Sequence, residues 1–211
     1  MKLYYNPLSP FSQKVLIALE EKGVAYDKEV VDLGNAEARA AFEKINHFGK
    51  VPFLVDEKRD WRVPESSIII EYLERHCPGG TQLLPSDPDL ARQARFHDRI
   101  FDLYVTDQAL KIFFDGRRPA EKKDPFGVEQ AQKRLDKTYA LYDQYLAKRE
   151  WILGDSFSLA DVSATPGLAM GRMLHPWEAH KNIGAYFARL TARPSVQGVL
   201  KAAQEAMSRR A

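Results

Sequence analysis

The chain has 211 residues, 45% of them hydrophobic and 28% charged, with a formal net charge of +2. These are the proportions of an ordinary soluble globular protein of one or two domains. Its 31 Lys and Arg are balanced by 29 Asp and Glu, and no run of like charges forms the basic stripe of a nucleic-acid binder. No apolar stretch approaches the ~18 residues of a membrane span, and the first residues lack the pattern of a signal peptide. Cys77 is the single cysteine, so no internal disulfide is possible. A cytoplasmic protein held by its core is expected.

Residues up to about 78 mix strands and helices. Leu3-Tyr4-Tyr5 is short, apolar and aromatic, as a buried strand is, and Pro7 and Pro10 interrupt it. From Phe11 the period becomes helical, with Val15, Leu16 and Leu19 on one face, and Gly23 ends the helix where a left-handed cap needs no Cβ. A strand is expected at Tyr26–Val31, a short helix at Ala36–Ile45, a strand at Val51–Val55 and a last strand around Arg62-Val63. Ser66 is expected to cap a helix running from Ser67 to His76. The order is β-α-β-α-β-β-α.

Cys77-Pro78-Gly79-Gly80, then Pro85 and Pro88, form a segment rich in helix breakers. Beyond it every periodic segment reads as helical: Leu90–Phe114, Val128–Lys148, and shorter helices from Leu159, Asn182 and Val196. The expected organisation is an α/β domain over 1–78, a linker over 79–88 and an all-helical domain over 89–211. The basic end, Ser208-Arg209-Arg210, reads as a solvated helix end.

Four local patterns stand out. Ser9-Pro10-Phe11-Ser12 lies between the first strand and the first helix, and Ser9 before Pro10 makes a good N-cap with proline at the first helical position. Gly49-Lys50-Val51-Pro52-Phe53-Leu54 opens the third strand, and Lys50 alone reads as a solvated loop lysine. Pro64-Glu65-Ser66-Ser67-Ile68 carries ordinary helix-start signals. Ser158-Leu159-Ala160-Asp161, preceded by Phe157, has the spacing of a capping box with a hydrophobic staple. As a cap, Asp161 is expected to contribute about 1 kcal/mol. The five histidines are scattered without metal-ligand spacing, and no metal is expected. Met170, Met173 and Trp177 read as a core stripe.

This division and these motifs resemble the soluble glutathione transferases over nearly the whole chain. The resemblance implies a thioredoxin-like N-terminal domain and an all-α C-terminal domain. Thioredoxin-like folds carry Cys-Pro-x-Cys where this chain has Ser9-Pro10-Phe11-Ser12, and the Ser-Pro-Phe form looks most like the serine-type classes, particularly the plant tau class and its bacterial relatives. It implies that Ser9 is catalytic, with Ser12 as the rival, and that Phe11, Lys50, Val51, Pro52, Glu65 and Ser66 bind glutathione. In the family this proline is cis, and the Val51 backbone meets the cysteinyl part of glutathione. Lys50 would pair with the glycine carboxylate, and Glu65 and Ser66 with the γ-glutamyl end. The family often has proline after the asparagine, where this chain has His47, so the loop path is left open. The resemblance also makes Phe96, Arg99 and Tyr104 candidates for the wall of an electrophile pocket in a cleft between the domains. A homodimer is implied. Phe48 would insert into the partner or else be an ordinary buried loop residue, and Asp98 is a candidate to reach glutathione across the dimer.

The implied chemistry is thiol activation. A thiol of pKa ~8.5 is little ionised at neutral pH. A hydroxyl that donates to the sulfur stabilises the thiolate, as does the positive end of a helix. Glutathione would be a cosubstrate, and its conjugation to small hydrophobic electrophiles the activity expected, with detoxification as the associated role. Peroxide reduction, isomerisation and dehalogenation are competing reactions of the same fold. A non-catalytic ligand-binding protein is the competing class.

Overall fold

The computed structural model describes residues 1–209; Arg210, at the basic end, and Ala211 lie outside the described residues. Two compact units divide the chain. The first comprises Met1–Leu83 together with the segment from Pro194 onward, and the second is Leu84–Arg193.

In the first unit the elements run β1 (Lys2–Tyr5), α1 (Pro10–Lys22), β2 (Asp27–Val30), α2 (Ala36–Glu43), β3 (Phe53–Asp56), β4 (Trp61–Pro64) and α3 (Ser66–His76). The sheet order is β2-β1-β3-β4. β1 and β2 are parallel, as a crossover through α1 requires, while β1–β3 and β3–β4 are antiparallel. Register aligns Leu3 with Leu54 and Leu54 with Val63, all three buried. Alternation sends Tyr4, Phe53 and Val55 to the opposite face, where they pack with Phe42 of α2. Gly23 ends α1 at φ 62°, and its amide donates to the carbonyls of Glu20 and Leu19, as expected of a left-handed cap.

The first unit also holds α9 (Pro194–Ser208), which packs on α1. Val196, Val199 and Ala203 are buried, and Ser195 Oγ donates to Glu21 Oε1 over 2.5 Å. This departs from the expected boundaries of 1–78, 79–88 and 89–211. Part of the expected linker is built into the first unit: Leu83 is buried with its amide on Glu74 Oε2, and the Thr81 amide donates to the Glu21 carbonyl. The helix start also shifts. Ser66 is the first residue of α3, and Glu65 takes the cap position without a side-chain cap bond.

The second unit contains α4 (Pro88–Ile100), α5 (Asp107–Gly116), α6 (Pro125–Leu146), α7 (Leu159–Leu174) and α8 (Lys181–Ala192). The long helix expected over Leu90–Phe114 is interrupted by a π-helical segment, Phe101–Thr106. Its loosened ladder is braced from outside, with Gln108 Nε2 donating to the Leu103 carbonyl over 2.7 Å. Here α7 approaches closely: a Cβ on Gly167 would lie 2.7 Å from Thr106 Oγ1. The capping box is formed, and Phe157 is buried beside it. Of the expected apolar stripe only Trp177 is buried; Met170 is partly exposed and Met173 lies on the surface, because α7 turns that side outward. Among the described residues no helix is long and apolar enough to cross a membrane.

Candidate functional site

The sheet register assembles the candidate site. Tyr4 pairs with Phe53 and Phe53 with Pro64. β1 leaves this row forwards, β3 enters it, and β4 leaves it. The segments Asn6–Ser9, Val51-Pro52 and Glu65-Ser66 therefore lie beyond the same end of the sheet. Three patterns spread over residues 6–66 meet there by strand pairing alone.

Ser9 is the N-cap of α1, with φ −79° and ψ 120°, and Pro10 opens the helix. Its Oγ accepts the Ser12 amide over 3.3 Å. That contact uses an acceptor lone pair and leaves the O–H to donate. Ser9 is partly exposed, whereas Ser12 is wholly buried and its Oγ accepts the Asn6 amide over 3.3 Å. Phe11 is partly exposed beside them.

The turn before Ser9 is held by residues that the motifs did not single out. Asn6 Nδ2 donates to the Val31 carbonyl over 2.9 Å, and Asn6 Oδ1 accepts the Leu8 amide over 2.9 Å. Gln13 Nε2 donates to the Pro7 carbonyl over 2.8 Å. In the next loop Asn46 is buried; its Nδ2 donates to the Lys50 carbonyl, and its Oδ1 accepts the Phe48 amide. Asparagine in a turn is a sequence signal for such bracing, but its partners are not readable locally.

The Val51-Pro52 peptide bond is cis, as the resemblance implied, and both residues are buried. Lys50 beside them is exposed. Phe48 is 74% exposed, which overturns the reading of a buried loop phenylalanine. Asn46 holds the backbone of its loop in a path that turns the ring outward.

Glu65 is exposed and has φ 68° and ψ 120°, a conformation that a residue with a Cβ rarely adopts. Such strain persists where surrounding structure dictates it, and it clusters at functional sites. The turn at Glu65 joins the end of β4 directly to the first residue of α3, at the common end of the sheet. Ser66 is buried at that helix start, where an anion is favoured.

Of the electrophile-wall candidates in the helical unit, one lines a groove. Tyr104, in the π-helical segment, lines a groove of about 420 Å³ between α4 and α6 with Ile100, Arg134, Thr138 and Leu141. The Arg134 guanidinium lies 5.8 Å from its ring centroid. Phe96 and Arg99 are exposed but do not line this groove. The reach expected of Asp98 across a dimer is overturned. Asp98 is 2% exposed and accepts Ser163 Oγ of α7 over 2.5 Å, which fixes it inside the helical unit.

Comparison with known proteins gives the family. Residues 3–81 match the family model described as glutathione S-transferase, N-terminal domain, and residues 105–194 match glutathione S-transferase, C-terminal domain. The chain is 31% identical over 216 residues to glutathione S-transferase 3 of Zea mays, covering 96% of this chain and 94% of the relative. It is 29% identical over 197 residues to glutathione S-transferase GstB of Escherichia coli (strain K12), covering 89% and 91%. A crystal structure of a glutathione S-transferase from Methylobacillus flagellatus KT with glutathione bound superposes with TM-score 0.85 at 29% identity, covering 94% of this chain and 98% of that one.

Proposed function

Since the chain belongs to the glutathione S-transferase family, we propose that it conjugates glutathione to small hydrophobic electrophiles through a thiolate stabilised by Ser9. The observation that carries this reading is the partly exposed Ser9 hydroxyl, which accepts the Ser12 amide and so keeps its O–H for a sulfur. The positive end of α1 supports the same charge. A hydrogen bond to a charged group contributes ~1.5–3 kcal/mol. At ~1.36 kcal/mol per pKa unit, this lowers a thiol pKa by about one to two units. Ser9 donates and does not need to lose its own proton. The burial of Ser12 favours Ser9 over its rival.

In this reading the glutathione backbone runs along the shared end of the sheet. Val51 and Pro52 meet the cysteinyl part like an added strand. Lys50 pairs with the glycine carboxylate. Glu65 takes the γ-glutamyl amine, and Ser66 at the start of α3 takes its carboxylate. Phe11 lines the site beside the sulfur. The serine-type, tau-like assignment rests on Ser9-Pro10-Phe11. Phe96, Arg99 and Tyr104 are proposed as electrophile contacts from the helical unit. We assign a cytoplasmic homodimer with a detoxifying role. The exposed Phe48 is its proposed contact feature.

The test is a glutathione titration followed by ultraviolet thiolate absorbance across pH, with conjugation of an activated aryl halide measured in parallel. Thiolate at neutral pH and turnover in the wild type, both strongly reduced in Ser9→Ala, are expected. Glutathione bound but un-ionised in both proteins would sink the mechanism.

A further inference from the structure

Lys14 lies in the second turn of α1 and is 1% exposed, yet it carries an ammonium. Its Nζ donates to Ser67 Oγ over 2.9 Å. Burying an ammonium is costly, and an apolar side chain of similar volume would fill the space more cheaply. The setting adds to that cost. Lys14 is near the N-terminal end of α1, and Ser67 is the second residue of α3. The start of α3 is a positive helix end, where a cation is disfavoured. Glu71, one turn along α3 from Ser67, shares its face and supplies an acidic group to that side of the helix.

Lys22, at the other end of α1, makes the contrast. It is also buried and pairs with Glu74 over 3.1 Å, but it lies in the last turn of α1, away from the segments of the candidate site. Lys14 reaches the positive end of α3, and its bond joins the helices next to two of the three segments that form the candidate site. Ser9 caps the helix that carries Lys14, and Glu65-Ser66 immediately precedes Ser67.

We propose that Lys14 is a positioning residue for glutathione, clamping the first turn of α3 to α1 through Ser67 so that Ser66 and Glu65 stand at a set distance from Ser9. The inference rests on the glutathione reading above and adds a residue that does not touch the ligand. The clamp holds the γ-glutamyl end of the site in register with the thiol end. The strained turn at Glu65 needs such an anchor, because nothing in its own side chain caps the helix.

The test compares Lys14→Met, Lys14→Arg, Ser67→Ala and the Lys14→Met/Ser67→Ala double variant, with Lys22→Met as the control. Lys14→Met is expected to raise the KM for glutathione by about tenfold, the scale of one charge-assisted hydrogen bond, with kcat at saturating glutathione little changed. Ser67→Ala should act in the same direction, and the double variant should be no worse than Lys14→Met alone. Lys14→Arg should recover most of the affinity. Amide exchange in the free protein should quicken at Ile69 and Ile70 in Lys14→Met. Lys22→Met should lower Tm and leave the KM alone. An unchanged KM in Lys14→Met, or an equal rise in Lys22→Met, overturns the proposal. If Lys14→Met does not fold, Ser67→Ala decides, and unchanged KM and exchange overturn it. A wild type that binds no glutathione overturns the parent reading and this role with it, whereas wild-type binding with unaltered variants overturns this role alone.

Discussion

The Ser12 amide donates to Ser9 Oγ over 3.3 Å, while Ser12 itself is buried with its hydroxyl on the Asn6 amide. Two serines three residues apart thus divide the work of the turn. One braces the strand-to-helix connection from within, and the other stands partly exposed at the cap.

This division sets the first prediction. Ser9→Ala is expected to lower conjugation at neutral pH by about tenfold to a hundredfold while glutathione still binds. The thiol pKa then rises, so the pH–rate profile moves to the alkaline side and activity recovers as pH increases. Ser12→Ala should instead lower Tm and leave the profile where it is. Steady-state rates from pH 5.5 to 9.5, as an order-of-magnitude window around the thiol range, read both outcomes.

Glu65 stores strain in a segment assigned to ligand binding. Glu65→Gly is expected to stabilise the free protein by up to about 1 kcal/mol, because glycine adopts φ 68° without a Cβ penalty. The same variant should bind glutathione more weakly. Thermal melts with and without glutathione separate the two effects. A lower Tm in the free protein would show that the Glu65 side chain stabilises the turn.

Asp161 is more than a cap. Its carboxylate accepts the Ser158 amide and hydroxyl, the Ile152 amide over 2.9 Å and Tyr186 Oη over 2.7 Å, all in a buried setting. Asp161→Ala leaves several buried donors unpaired, so its cost is expected at about 3 kcal/mol or more. The ~1 kcal/mol of a simple cap is the outcome that would contradict this. Urea denaturation of Asp161→Ala and Tyr186→Phe gives the comparison.

His97 predicts a pH dependence for the helical unit. Tyr145 Oη donates to the Ile152 carbonyl, so it accepts from His97 Nε2, and Nδ1 accepts from Tyr142 Oη over 2.6 Å. The neutral ring fits this network. Burial, with the nearby Arg149 cation, pushes the His97 pKa down from 6.5 to about 4. The unfolded chain therefore binds the proton more readily, and stability falls as pH drops from about 6.5 towards 4. His97→Phe should flatten that part of the curve, although it starts from a lower stability. Urea midpoints measured across this pH window test the slope.

Phe48 carries a prediction about assembly. Phe48→Ser is expected to shift the proposed dimer towards monomer, because removing an exposed aromatic anchor weakens an interface far more than removing a rim residue. Light scattering over a concentration series reads the equilibrium. An unchanged mass at every concentration would place the contact elsewhere.

Much of the fold was legible because its signals are local. Gly23 ends α1, Pro10 opens it, and Asp161 stands three residues after Ser158. Each acts through atoms within one turn of backbone, so spacing alone reveals it. The π-helical segment had no such signal. Its Thr106 packs opposite Gly167, sixty-one residues away by the numbering, a neighbour that no local pattern reveals. Asp98 was open to misreading for a similar reason. On a helix that alternates exposed and buried faces its charge suggests solvent, but Ser163 of another helix holds it inside.

The sequence by itself determined the order of strands and helices, the three segments that form the candidate site, and the family to which the chain belongs. The order of elements follows from short-range periodicity, capping and turn chemistry, which are written along the chain; the site segments and the family follow from the resemblance that the motifs carry. Only the tertiary structure decided which serine faces outward, that α9 completes the first unit, and that Lys14 reaches Ser67. Those outcomes depend on which distant atoms share the same small volume, and burial and hydrogen-bond partnership are set there rather than by neighbours in sequence.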